Sequence, residues 1–216
     1  MLTREQFLPH EMRIVAALRM QGASDEQVIV RVKSENLFQY PTERMVANRA
    51  TVCLRRLDAM VPTDAVCAAR GIDPKTAVEA ASSLTSLMAS GTPTQADQAI
   101  FYSMICRYDI VRELVLVEVG ERLQNFDYAF TAVDLNAFMT RFTTEYPDAA
   151  RWTEATVKRI KGSLRQTLRH AGLIGEGQSP ESECLSPLFL DSDVERALVQ
   201  LGEQSLIAAL TGRVVM

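Results

Sequence analysis

Four cations fall at helical spacing in one stretch of this chain: Lys158, Lys161, Arg165 and Arg169. At about 100° per residue they share one stripe, with Arg159 as an assisting cation further round the helix. A row of lysine and arginine of this kind pairs with the phosphates of a nucleic-acid backbone. A second set, Arg44, Arg55 and Arg56, lies in an earlier arginine-rich stretch, where Arg44, Asn48, Thr51 and Arg55 recur on one face. The chemistry these groups offer is electrostatic. Neutralising phosphates releases counterions, so the affinity gained falls steeply with salt. Asn and Gln are nearly absent from the exposed face of the later helix, which favours contact with a duplex backbone over bidentate reading of bases. The same residues would also suit a solvated helix face, because cations near a helix C-terminus complement its dipole.

Charge distribution bears on the choice. The 216-residue chain is mildly acidic, with a formal net charge of −4. Yet residues 151–172 hold six basic side chains against one carboxylate, and residues 31–56 hold six against two. Two basic islands in an otherwise acidic chain can receive a polyanion that the whole-chain charge would exclude. Catalysis is a poor fit. The chain lacks a Gly-rich phosphate loop and a nucleophile motif, and Glu113, Glu118 and Glu121 read as surface or ion-pairing positions. Cys53, Cys67, Cys106 and Cys184 form no C-x-x-C pair, and with only His10 and His170 no metal-ligand spacing appears, so no metal or cofactor is expected. No signal peptide is evident, and the apolar run Ile110 to Val119 is about half a bilayer span. A soluble, cytoplasmic protein is expected.

The elements that must position the cations read as helix after helix. Thr153 caps the later basic helix, and Gly172 stops it, because glycine alone enters the left-handed conformation without steric cost. Its core face is Val157, Ile160, Leu164, Leu168 and Ala171. Upstream, Pro9, the capping box Ser24 with Gln27, Thr42, Pro62 and the pair Asp73-Pro74 each mark a helix start. A long helical stretch from Thr94 to Gln124 is expected to break near Arg107, and Thr131 with Asp134 opens a further helix. Leu173-Ile174 and Leu185 to Leu190 read as the two strands of a short hairpin around an acidic loop containing Glu176, Glu181 and Glu183. Ser192 with Glu195 caps another helix, and Gln204 to Leu210 makes the last. Helix, link, long basic helix and hairpin follow one another in the order of a winged helix-turn-helix. The fold expected is mainly all-α, with an N-terminal helical bundle over 1–127 and a winged-helix-like module over 128–216.

Several of these segments together resemble one family. They are Ser34-Glu35-Asn36-Leu37-Phe38 with the helix ending Leu54-Arg55-Arg56-Leu57, the stretch Asp109 to Glu121, and Arg151-Trp152-Thr153 through Gly172-Leu173-Ile174. The chain is similar to BrxA proteins, the small accessory components of bacterial BREX phage-defence systems, from about residue 10 to 210. The resemblance implies a NusB-like helical body, a cytoplasmic location and nucleic-acid binding within a defence complex. It also implies cooperation with a methyltransferase, an ATPase and a phosphatase-like protein, and it supplies no catalytic residues.

The reading that follows is a non-enzymatic protein binding double-stranded DNA through Lys158, Arg159, Lys161, Arg165 and Arg169, with Arg44, Arg55 and Arg56 as a second surface. The acidic loop would repel phosphates, so contact should come through the helices. Two alternatives stand beside it: an adaptor whose basic stripes meet acidic partner subunits, and an RNA-binding role by analogy with NusB-like proteins.

Overall fold

The computed structural model describes residues 6–175 and 183–213. In chain order the helices are α1 (Pro9–Met20), α2 (Asp25–Ser34), α3 (Glu43–Ala59), α4 (Asp64–Arg70), α5 (Pro74–Ser90) and α6 (Pro93–Arg107). They continue as α7 (Asp109–Glu113), α8 (Gly120–Gln124), α9 (Ala132–Glu145), α10 (Glu154–His170), α11 (Ser192–Gln200) and α12 (Gln204–Thr211). A π-helical turn, Leu114–Val119, joins α7 to α8, and a 3₁₀ turn, Ala149–Arg151, precedes α10. The protein is all-α, with no strand among the described residues.

Local chemistry explains most helix starts. Ser24 and Gln27 form a reciprocal capping box, as do Thr131 and Asp134, so each side chain satisfies an N–H that the first turn leaves free. Thr42, Thr63 and Asp73 cap α3, α4 and α5 in the same way. Two starts differ from expectation. The helix placed at Pro62 begins at Asp64, because the Thr63 hydroxyl accepts from the Val66 N–H. The cap of α11 is Asp191 and not Ser192, since its carboxylate accepts from the Asp193 N–H.

The chain divides into two compact units that do not follow a single cut at 127/128. One comprises residues 8–107 and 190–203, the other 1–7, 108–189 and 204–216. In the first, α5 lies against α1, α4, α6 and α11, and α3 lies against α1, α2 and α6. Ala77, Ala80 and Ala81 on α5 are buried, and such small side chains let neighbouring helices approach closely. The late segment 190–203 belongs here for specific reasons. Asp191 accepts from Gln95 Nε2 at 3.1 Å, and its N–H donates to Gln98 Oε1 at 2.9 Å. At the segment's other end, buried Glu203 lies 2.9 Å from Nη1 of Arg70 and accepts from the Tyr102 hydroxyl at 3.3 Å.

In the second unit, α12 rests on the π-helical turn and on α8, while α9 contacts α10. The core holds Val111, Leu114, Val119, Leu123, Phe130, Phe138, Ile160, Leu164 and Leu168. Phe142 stacks on Tyr146 with ring centroids 4.2 Å apart and on Trp152 at 6.0 Å, which ties the end of α9 to the approach to α10. Arg122 fixes the α8–α9 corner by pairing with Asp127 at 2.7 Å and Asp134 at 2.9 Å.

The expected hairpin is reduced to single antiparallel bridges, Ile174 with Leu185 and Ala129 with Cys184. A ladder cannot extend along 185–190. Pro187 has no N–H, and the Leu188 N–H donates instead to the Leu210 carbonyl at 2.8 Å, at the end of α12.

Candidate nucleic-acid interface

Helix α10 forms as its sequence dictates. The Thr153 hydroxyl accepts from the Thr156 N–H at 3.2 Å, and Gly172, at φ +80°, takes the left-handed stop. Ile160, Leu164 and Leu168 are fully buried, with Thr167 beside them. That burial fixes the rotation of the helix and so decides where each cation points.

The five predicted cations do not share one fate. Lys158 and Arg159 are exposed and have no ion-pair partner among the described residues. Lys161 is half-buried and donates from Nζ to Asn136 Oδ1 of α9 at 2.7 Å. Arg165 and Arg169 both turn to Glu183. Its carboxylate lies 2.7 Å from Arg165 Nε and also meets Arg169, and its side chain is wholly buried. Glu183, expected to be one of the phosphate-repelling acids of the wing loop, is therefore an internal counter-ion at the root of that loop. Glu176 and Glu181 lie outside the described residues.

The expectation of one open stripe from Lys158 to Arg169 is thus corrected. The outward cationic face is rotated toward Lys158 and Arg159, because the two cations nearer the core edge, Lys161 and Arg165, have internal partners. The Glu183 group still sums to one positive charge, and Arg169 keeps 44% of its side-chain surface exposed. Arg151, on the 3₁₀ turn ahead of α10, is exposed as well, and its charge adds to this region.

The arginine-rich helix α3 divides similarly. Arg44 and Arg55 are exposed without an ion pair among the described residues. Arg56 is fully buried, so it cannot form part of a surface contact. The reason is its position: adjacent to Leu57 and three residues after Cys53, both buried, it falls on the core side of the helix. Other cations of this island are engaged locally. Lys33 lies 3.2 Å from Glu43, and Arg31 lies 3.2 Å from Glu35.

The loop before α3 is held by Asn36, which donates from Nδ2 to the Tyr40 carbonyl at 3.1 Å and accepts from the Tyr40 N–H at 3.2 Å. The Tyr40 hydroxyl donates to Glu11 of α1, and burial together with that carboxylate pushes the phenol up to about 12. None of this could be read from spacing. Glu183 is the residue that the linear pattern placed wrongly: as one of three acids in the loop after a basic helix, it gives no linear sign of turning inward to Arg165 and Arg169.

Among the described residues, no group of three or more His, Cys, Asp or Glu is placed to hold a metal ion. Cys53 and Cys67 are buried free thiols, Cys106 is half-buried and Cys184 exposed. No helix among the described residues is long and apolar enough to cross a membrane. The arrangement offers charge and shape at a helix surface.

Comparison with known proteins adds a family. The family model described as BrxA matches residues 1–202. The BREX protein BrxA of Escherichia coli O9:H4 (strain HS) is 21% identical over 127 residues, 59% of this chain and 58% of that protein's length. A crystal structure of an uncharacterized protein from Magnetospirillum magneticum superposes with a TM-score of 0.73 at 16% identity, covering 98% of this chain and 97% of that one. The last likeness shows the fold alone.

Proposed function

The chain belongs to the BrxA family, and on that premise we propose that it is a non-enzymatic accessory component of a BREX phage-defence system that binds duplex DNA. The observation that carries the DNA reading is the pair Lys158 and Arg159, exposed on α10 with no carboxylate partner among the described residues. Support comes from the order of elements in the second unit. A helix, Ala129, α9, α10, Ile174 and then the returning residues Cys184 and Leu185, which bridge to Ala129 and Ile174, come in the order of elements that a winged helix uses. In that architecture α10 is the helix that faces the groove. Arg44 and Arg55 provide a second cationic surface on α3.

Contacts are to phosphates. Neutralising two of them through Lys158 and Arg159 gives a slope of log K against log salt of about −1.8. A mobility shift at low salt with duplex DNA, single-stranded DNA and RNA tests the reading. Duplex should be retarded most, and a preference for RNA would favour a NusB-like role instead.

The second reading is a protein adaptor meeting the methyltransferase, ATPase or phosphatase-like members of such a system. It is favoured by Glu183, which already neutralises part of the basic face. Capture of partner subunits that survives nuclease treatment, with no retardation of free DNA, would select it.

A further inference from the structure

Gly162 stands at the middle of α10 in a position where nothing among the described residues calls for glycine. Its backbone is helical and its φ is not in the left-handed region, and a Cβ built on it would meet no atom of the described residues within 4 Å. Glycine is the least favourable helix residue after proline, so the chain gives up helix stability here without gaining any internal packing. The position is exposed and lies roughly 160° around the helix from buried Leu164. It therefore marks the centre of the outward face. Lys158 and Arg159 flank it one turn before and exposed Gln166 one turn after.

A glycine that no described residue packs against, one turn after two exposed cations with no ion-pair partner among the described residues, is explained by something outside the chain that must come close. We propose that Gly162 is the point of closest approach between α10 and the sugar–phosphate backbone of a duplex. This rests on the DNA reading above and adds the positioning residue for it. Without a Cβ, the helix backbone can reach van der Waals contact with the ligand. Lys158 and Arg159 then straddle the approach and reach phosphates on either side without full extension. A side chain at 162 would hold the helix away and lengthen both ionic contacts together.

The test is duplex retardation by the full chain carrying Gly162→Ala and, separately, Gly162→Leu, with thermal unfolding of each. Because the site is exposed and helical, Gly162→Ala should raise Tm by about 2–4 °C. The same variant should weaken duplex binding about fivefold, and Gly162→Leu more than about tenfold, with neither variant removing a charge. Gain of stability with loss of affinity is a combination that a merely structural glycine would not produce. If the native chain retards duplex and both variants match it, the close approach is wrong while the DNA reading stands. If the native chain retards no duplex at low salt, both fall together.

Discussion

The carboxylate of Glu183 lies 2.7 Å from Nε of Arg165, on a side chain that has no solvent exposure of its own. The contact is one of charge, without an aligned hydrogen bond between those two atoms, and it also engages Arg169. One residue at the root of the loop thus sets how much of the basic helix α10 is available to anything else.

Replacing it by Glu183→Gln keeps the volume and removes the charge. Arg165 and Arg169 would lose their counter-ion in a partly buried setting, so urea unfolding should show a loss of about 1–3 kcal/mol. Duplex affinity should rise at the same time, because a carboxylate is removed from the basic face and half-exposed Arg169 loses the charge that holds it. Weaker DNA binding by this variant would contradict the role assigned to Glu183.

Acid stability should depend on two capping carboxylates. Burial alone would raise Asp134, but the Thr131 hydroxyl and N–H together with Arg122 hold its carboxyl below the ordinary value of 3.8. Asp191 is also held low, by the Gln95 side chain and the Asp193 N–H. A carboxyl with a depressed folded pKa stabilises the protein above its unfolded pKa, and that contribution disappears as pH falls through the folded one. Urea midpoints should therefore drop on acidification below about pH 4, and Asp134→Asn should flatten that fall. An unchanged pH profile in the variant would count against the assignment.

Gly120 is a glycine that the fold does require. A Cβ there would lie 2.7 Å from the Ala209 Cβ, where α8 meets α12. Gly120→Ala should cost about 1–3 kcal/mol in urea unfolding, despite alanine's better helix propensity. Adding Ala209→Gly should recover part of the loss, since the two sites share one contact. Stabilisation by Gly120→Ala would show that α12 does not sit so close.

Helix starts were legible because their causes are local. Ser24–Gln27, Thr42, Asp73, Thr131–Asp134 and Thr153 each satisfy an N–H within three residues, and a linear pattern records such contacts. The hairpin misled because Leu185 to Leu190 has strand-like residues, while the fate of the Leu188 N–H is settled by Leu210, more than twenty residues away. The return of residues 190–203 to the first unit depends on Gln95, Gln98, Arg70 and Tyr102, partners that periodicity cannot name. For the cations, spacing placed Lys158, Lys161, Arg165 and Arg169 on a common stripe. It could not distinguish those on the core edge, which Asn136 and Glu183 claim, from those that point outward. Arg56 shows the same limit, since an arginine in a basic cluster gives no linear sign of being buried.

The most direct measurement compares two charge reversals in duplex retardation at low salt. Lys158→Glu with Arg159→Glu strikes the exposed pair; Arg165→Glu strikes the cation already held by Glu183. The double variant should lose duplex binding and flatten the salt dependence of whatever remains, by about 1.8 in slope. Arg165→Glu should unfold more readily, with any loss of binding following that loss of structure. A folded Lys158→Glu, Arg159→Glu protein that binds duplex as tightly as the native chain would contradict the account.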